Sequence, residues 1–372
     1  MVTQGIKSYP DLVGDEGSIQ NSKRLEMRLI DYIAKRKKDG ITAQTLSNHL
    51  SAPRHFYKMN DIDGIKWDKV RRYLGERVKT VDDKAYTHEQ IAKAIEFADY
   101  RIKALILTQA STGMRIGGIV GGSLNGIKIP YLKWGDLEYI ERHGIFSFKA
   151  YRRTSAEYLV FCTPEAAKAI KEYMRYREQQ GEAMTPESPL IREQFGANKA
   201  DKPRPIAKVT ASKRIDDAFV RAGLRTREAG QKHRRKENML THGFRKFAKK
   251  WMRKSGVDPL IIEYLVGHQS GDMKAGVSKL MMTYDPAEDG ELLAEYLKAI
   301  PNLTIASVER ERFAKEQALK ERDVVNEKYE KELLAQRQEL ESHKETIAML
   351  VEAQREREEL EKARGQLEKD DS

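Results

Sequence analysis

Cysteine is almost missing from these 372 residues. With Cys162 alone, no intrachain disulfide can form and no metal site can be built from cysteine pairs. Its neighbours Leu159, Val160 and Phe161 mark it as a small buried strand residue. Long apolar runs are missing too. No stretch of about 18 apolar residues occurs, and the N-terminus shows no apolar segment behind a basic patch. The expectation is a soluble, cytoplasmic chain with no membrane partner. Acidic residues at metal-ligand spacing are also absent, so nothing calls for a metal or another cofactor.

Charge is plentiful but unevenly placed. Charged residues make up 34% of the chain and hydrophobic ones 40%, so a core can form only if part of the chain is left in water. The net charge of +11 favours a polyanionic partner, although many protein classes share a basic balance. Residues 306–372 hold 14 basic and 19 acidic side chains, and the rest holds 54 and 38. The body therefore carries a surplus of +16 and the tail one of −5.

The length suits two globular domains and an appendage. Residues 1–17, with Pro10 and three glycines, read as a flexible start. Residues 18–80 read as a helical domain. Leu25, Met27, Leu29, Ile30, Tyr32 and Ile33 fit a buried face, and further helices are expected over 43–57 and 67–78. Basic side chains such as Arg24, Arg28, Lys35, Arg54, Lys69 and Arg72 stud this segment. Residues 81–87 serve as a linker, and Thr87 with Gln90 forms a capping box that opens a second domain over 88–304. Within it, segments 131–137, 145–151 and 157–162 read as three short strands, and the glycine-rich stretch 120–126 as a flexible loop. The fold class is thus mainly α with a small antiparallel β-sheet.

Residues 305–372 form a charged appendage. Between 306 and 368 there is no proline and one glycine, and Leu319, Asn326, Leu333, Leu340 and Ile347 recur every seven residues. The companion positions Arg322, Tyr329, Gln336 and His343 are polar, with Leu350 the exception. This describes a long helix with a thin seam: a short coiled coil with Asn326 setting register, or a solitary charged helix.

Four short segments carry the chemistry: Ser111-Thr-Gly-Met-Arg115, Thr241-His242-Gly-Phe-Arg245-Lys246, Leu265-Val-Gly-His268 and Met282-Thr-Tyr284-Asp-Pro. Taken singly each is weak, because an arginine after Thr-Gly or a tyrosine in a turn is ordinary. His242 and Arg245 would share one helix face. A phosphodiester under attack gathers negative charge on its nonbridging oxygens. Arg115 and Arg245 can each donate paired hydrogen bonds there, with His268 a further donor. His242 can exchange a proton near neutral pH, and Tyr284 is a nucleophile if its hydroxyl is helped to ionise.

In this order, with strands between the first segment and the second, the set resembles the tyrosine recombinases, the phage integrase family. Residues 88–304 carry the resemblance, and 18–80 more loosely. The phrasing of Ser111-Thr-Gly-Met-Arg115 and Glu295-Tyr-Leu-Lys-Ala-Ile-Pro-Asn-Leu-Thr304 is most similar to archaeal and archaeal-virus integrases. The resemblance implies a helical core-binding domain and a catalytic domain closing around double-stranded DNA, and a homo-oligomer acting as a tetramer. It also implies strand cutting and rejoining through a 3′-phosphotyrosyl intermediate, and the host cytoplasm if a virus encodes the chain. The alternatives are a Xer-like dimer resolvase of the same chemistry, a topoisomerase sharing the nucleophile, and a non-catalytic DNA-binding protein on this fold.

The family also uses a lysine on the strand hairpin to protonate the leaving oxygen. Here Lys149 or Arg152 fills that position, with Arg153 beside them; arginine is a poor proton donor. Arg152, Arg153, Lys213, Arg214 and Lys246 are expected at DNA phosphates, with Lys232, Arg234 and Arg235 of the basic run 225–236. Two departures stand out. Gly118 occupies a position where the family often has an acidic residue, and Tyr284 stands 16 positions after His268, more than the family's usual gap. Tyr264 and Tyr296 are the other tyrosines nearby, and neither fits better.

Overall fold

A computed structural model describes residues 19–61, 63–76, 84–124, 127–154, 156–195, 203–226, 240–267 and 290–370. The chain divides into two compact units, residues 1–82 and 83–372. Among the described residues no helix is long and apolar enough to cross a membrane.

The first unit holds α1 (Ile19–Lys38), α2 (Ala43–Met59) and α3 (Trp67–Arg72). Apolar residues at helical spacing, Ile30 and Ile33 on α1 with Leu46 and Leu50 on α2, close over Val70. Met27 was expected on that buried face but is 54% exposed. It lies two residues from Leu25, which turns it to the opposite side of α1. The third helix is shorter than expected because the chain turns at Gly75, whose φ is +73°. Buried Glu26 joins α1 to α3, accepting from Lys66 N at 2.8 Å and Lys69 Nζ at 3.0 Å.

The second unit begins with α4 (His88–Glu96), and the expected capping box is present. Gln90 N donates to Thr87 Oγ1 at 3.2 Å and Thr87 N donates to Gln90 Oε1 at 3.0 Å. Next comes α5 (Tyr100–Thr112), started by the Asp99 carboxylate on Ile102 N and buried along nearly its whole length. A helix buried on nearly every side belongs at the centre of a core. Around α5 are packed α7 (Pro164–Gln179), α8 (Lys208–Arg221), α9 (Leu240–Lys254) and α11 (Glu291–Leu303). Short α6 (Ile116–Val120) and α10 (Pro259–Leu265) complete the helical layer.

Among the described residues, two antiparallel sheets accompany the helices. β3 (Leu137–Ile140), β4 (Ile145–Ala150) and β5 (Tyr158–Phe161) form the larger, in that order, with Lys149 opposite Leu159 and Ala150 opposite Tyr158. The first strand starts later than expected. Trp134 N and Gly135 N donate to the carbonyls of Ser188 and Pro186, which coils 134–136 into a 3-10 turn. The stretch expected as a flexible loop instead enters a small ribbon, β1 (Gly122–Leu124) with β2 (Ile127–Ile129).

Beyond α7 the chain is pinned by a buried charge cluster. Glu182 accepts from Arg177 Nε at 3.0 Å and from Arg192 Nη1 at 2.5 Å, while Arg177 Nη1 donates to Pro189 O at 2.7 Å. Burial alone would raise the Glu182 carboxyl, but the two guanidiniums hold it below the usual carboxylate range. The last helix, α12 (Ser307–Asp370), has 64 residues and is anchored at its start. Half-buried Glu165 accepts from Ile305 N and Ala306 N, and Arg310 Nη1 donates to Ile305 O at 2.7 Å.

Two stability outcomes follow from buried ionisable groups. Glu182→Gln leaves two buried guanidiniums without a counter-charge and should cost about 3–5 kcal/mol in urea unfolding. His88 is buried against Phe247 and Trp251, and its Nε2 lies 2.8 Å from Asn302 O. Burial holds its imidazole below the ordinary value of 6.5. The unfolded chain then takes a proton that the fold refuses, so stability falls as the pH drops below about 6.5. Thermal unfolding at about pH 7.5 and about pH 5.5 should show that loss, and His88→Gln should reduce it.

Candidate active site

Two helix ends build the site. The first is the end of α5, where Gly113 takes φ +64° and returns its N–H to Gln109 O at 2.9 Å. A Cβ at Gly113 would stand 2.9 Å from both Ala248 Cβ and Val266 Cγ1, so a side chain is excluded by backbone and by space. Met114 is buried, and Arg115 emerges exposed at the start of α6. The second is the end of α10, where Gly267 takes φ +75°. A Cβ there would stand 2.5 Å from the ring of Tyr158.

The carbonyls exposed by these ends hold two guanidiniums. Arg245, buried on α9, donates through Nη1 to Gly113 O at 3.1 Å and to Val266 O. Arg115 Nη1 donates to Gly267 O at 3.4 Å. Terminal carbonyls carry the negative end of a helix dipole and favour a cation. Arg245 is nevertheless undersatisfied: among the described residues its buried Nε and Nη2 have no hydrogen-bond partner. Burial, and then the charge of Arg115, pulls its pKa down to about 10, so it stays cationic at neutral pH. Two adjacent cations, one with unused donors, make a receptor for an anion.

Two tyrosines line this pair that the sequence did not single out. Tyr158 on β5 is buried, its hydroxyl 3.5 Å from Val266 O, and burial raises its pKa well above the usual tyrosine range. Tyr151, at φ +54°, has its ring 6.0 Å from that of Tyr158. It also explains Gly118: a Cβ there would stand 2.8 Å from Met114 Cε and 3.4 Å from the Tyr151 ring. A side chain at this position would have to displace the end of Met114 and press on the Tyr151 ring.

The other candidates are placed as follows. His242 is half-buried on α9, one turn before Arg245. Lys149 is exposed on β4, its Nζ 3.6 Å from Glu157 Oε1. Arg152 is paired with Asp136, and Arg153 N donates to Glu157 Oε2 at 2.8 Å. Lys213 and Arg214 are exposed on α8, where Arg214 donates to Gln194 Oε1 at 3.1 Å; Lys246 lies on α9. His268 and Tyr284, with Lys232, Arg234 and Arg235, lie outside the described residues. Tyr264 and Tyr296 are core residues. The Tyr264 hydroxyl accepts from Leu159 N at 3.2 Å and that of Tyr296 donates to Ser111 O at 3.1 Å.

The phage integrase family model matches residues 84–275, the span that holds both arginines and the sheet. The chain belongs to the phage integrase family. Among solved structures, XerA recombinase is 16% identical, covers 83% of this chain and 87% of its own, and has a TM-score of 0.38. The integrase from mycobacterium phage Brujita is 17% identical over 74% of this chain and 78% of that one, with a TM-score of 0.39. A lambda integrase dimer bound to a COC′ core site is 15% identical over 67% and 79%, with a TM-score of 0.42. At such scores the family model, not these structures, decides the assignment. Comparison with curated proteins finds no match.

The close approach at Gly267 can be tested without substrate. Gly267→Ala forces both a left-handed backbone and a clash with Tyr158, and should cost about 2–4 kcal/mol in thermal or urea unfolding. Tyr158→Ala in the same chain should recover part of the loss that the clash causes.

Proposed function

We propose that this chain is a site-specific DNA recombinase that cuts and rejoins double-stranded DNA through a 3′-phosphotyrosyl intermediate, integrating or excising a mobile element. The observation that carries the reading is Arg245, a buried cation with two unused donors beside Arg115. Family membership supplies the reaction class.

In this reading the Tyr284 hydroxyl oxygen attacks phosphorus as His242 assists removal of its proton. One P–O bond forms, to Tyr284, and one breaks, to the 5′ oxygen, which leaves with a proton from the hairpin cation, Lys149 or Arg152. Arg115, Arg245 and His268 donate to the nonbridging oxygens as charge grows there. A 5′ hydroxyl of a partner strand reverses the step. One ester bond is exchanged for another each time, so religation needs no ATP.

Lys149 is the better proton donor of the two, because a guanidinium holds its proton too tightly. Its contact with Glu157 at 3.6 Å has to open for that role. Arg153, Lys213, Arg214, Lys232, Arg234, Arg235 and Lys246 contact backbone phosphates and make binding fall steeply with salt. Four protomers exchange strands in pairs. The wording of the segments around Arg115 and Glu295 supports a likeness to archaeal and archaeal-virus integrases.

The test is a nicked duplex built from the junction sequence of the element that encodes the chain. Wild type should trap a covalent protein–DNA adduct and Tyr284→Phe should not; an adduct with the phenylalanine variant would remove Tyr284 as nucleophile. Arg245→Ala should slow adduct formation by about 10²–10³-fold, with duplex binding by gel shift weakened far less.

A further inference from the structure

The long C-terminal helix leaves an apolar seam uncovered. In α12, Leu319 is 49% exposed, Leu333 52%, Leu340 56%, Ile347 60% and Leu350 64%. A helix of 64 residues extends about 96 Å. Among the described residues its first turns are fixed to the body through Arg310 and the packing of Phe313. Beyond them every described side chain from Arg322 to Arg355 is exposed.

From the structure we infer that residues 319–350 pair in parallel with the same residues of a second copy of this chain. The seam repeats strictly every seven residues at Leu319, Asn326, Leu333, Leu340 and Ile347, which imposes a left-handed two-helix supercoil. The flanking charges identify the occupant and its direction. In a parallel pair the residue before each seam position faces the residue five places later on the other helix. Glu332 then meets Arg337 of the second copy, and Glu339 meets Lys344, each twice by symmetry. An antiparallel pair in the same span would set Glu332 against Glu339. Asn326 would face Asn326 of the second copy, an amide pair that bonds to itself and penalises any shifted register. The contacts these charges make within the helix, Lys328 to Glu332 at 4.0 Å and Lys344 to Glu341 at 3.4 Å, join exposed groups and are weak competitors. The polar residues Arg322, Gln336 and His343 at the companion positions limit affinity, which suits an assembly that must also come apart.

The inference stands apart from the recombinase reading and is tested without DNA. Leu319→Cys and Ile347→Cys are made separately in the full chain; native Cys162 is buried and does not interfere. Under mild oxidation each variant should give a disulfide-linked dimer, because equivalent seam positions face each other in a parallel pair. A link that forms only when Leu319→Cys chains are mixed with Leu350→Cys chains would mean an antiparallel pair. No link at all would mean a solitary helix, and either result overturns the inference. Sedimentation adds a second readout. Glu332→Lys with Glu339→Lys should lower self-association, and adding Arg337→Glu with Lys344→Glu should restore it. Loss without restoration would also overturn it.

Discussion

A buried arginine that is only half satisfied among the described residues organises the second unit. Sequestering a guanidinium costs several kcal/mol unless its surroundings repay it. For Arg245 part of the repayment comes from the carbonyls of Gly113 and Val266, offered at the ends of α5 and α10. Those carbonyls face inward only because Gly113 and Gly267 turn the chain through positive φ where a side chain would collide. Tyr158 fills the space beside Gly267, and Tyr151 the space that Gly118 leaves open. Four elements far apart in sequence thus converge on one cation, and among the described residues its Nε and Nη2 have no hydrogen-bond partner.

The same unit shows what a purely structural solution looks like. Glu182 lies between Arg177 and Arg192, and a backbone carbonyl takes a further Arg177 donor. Nothing there is left for a ligand. At Arg245 the carbonyls occupy one nitrogen and spare the others, which is a poor arrangement for stability and a good one for an anion that arrives and leaves. The contrast separates the two buried clusters by function more sharply than burial does, since both are almost fully enclosed.

Features settled by neighbours in the chain were legible in the sequence. The Thr87–Gln90 box depends on residues three apart, and the helix that carries His242 and Arg245 on the spacing of its apolar face. Features settled at a distance were not. Tyr158 reads as an ordinary strand residue until Gly267, more than a hundred positions later, is seen to give it room. The 3-10 turn at 134–136 depends on carbonyls at Pro186 and Ser188, so the first strand was expected too early. Gly118 looked like a departure from its family, and the Met114 side chain and the Tyr151 ring crowd the space a side chain there would need.

Charge segregation links the body to its tail. The body's basic surplus attracts a polyanion, whereas the acidic surplus of residues 306–372 keeps most of α12 away from one. A helix so placed stays available to another chain even when the body is bound to nucleic acid. It is not a loose attachment. The Glu165 carboxylate caps the turn between α11 and α12, and α11 packs on α9, the helix that carries Arg245. Pairing along the seam would therefore fix two such bodies through a short run of packed helices, each leading to a half-satisfied arginine. An exchange reaction between two duplexes requires two such sites to be held together, and a connection of this kind would supply that without any contact at the sites themselves.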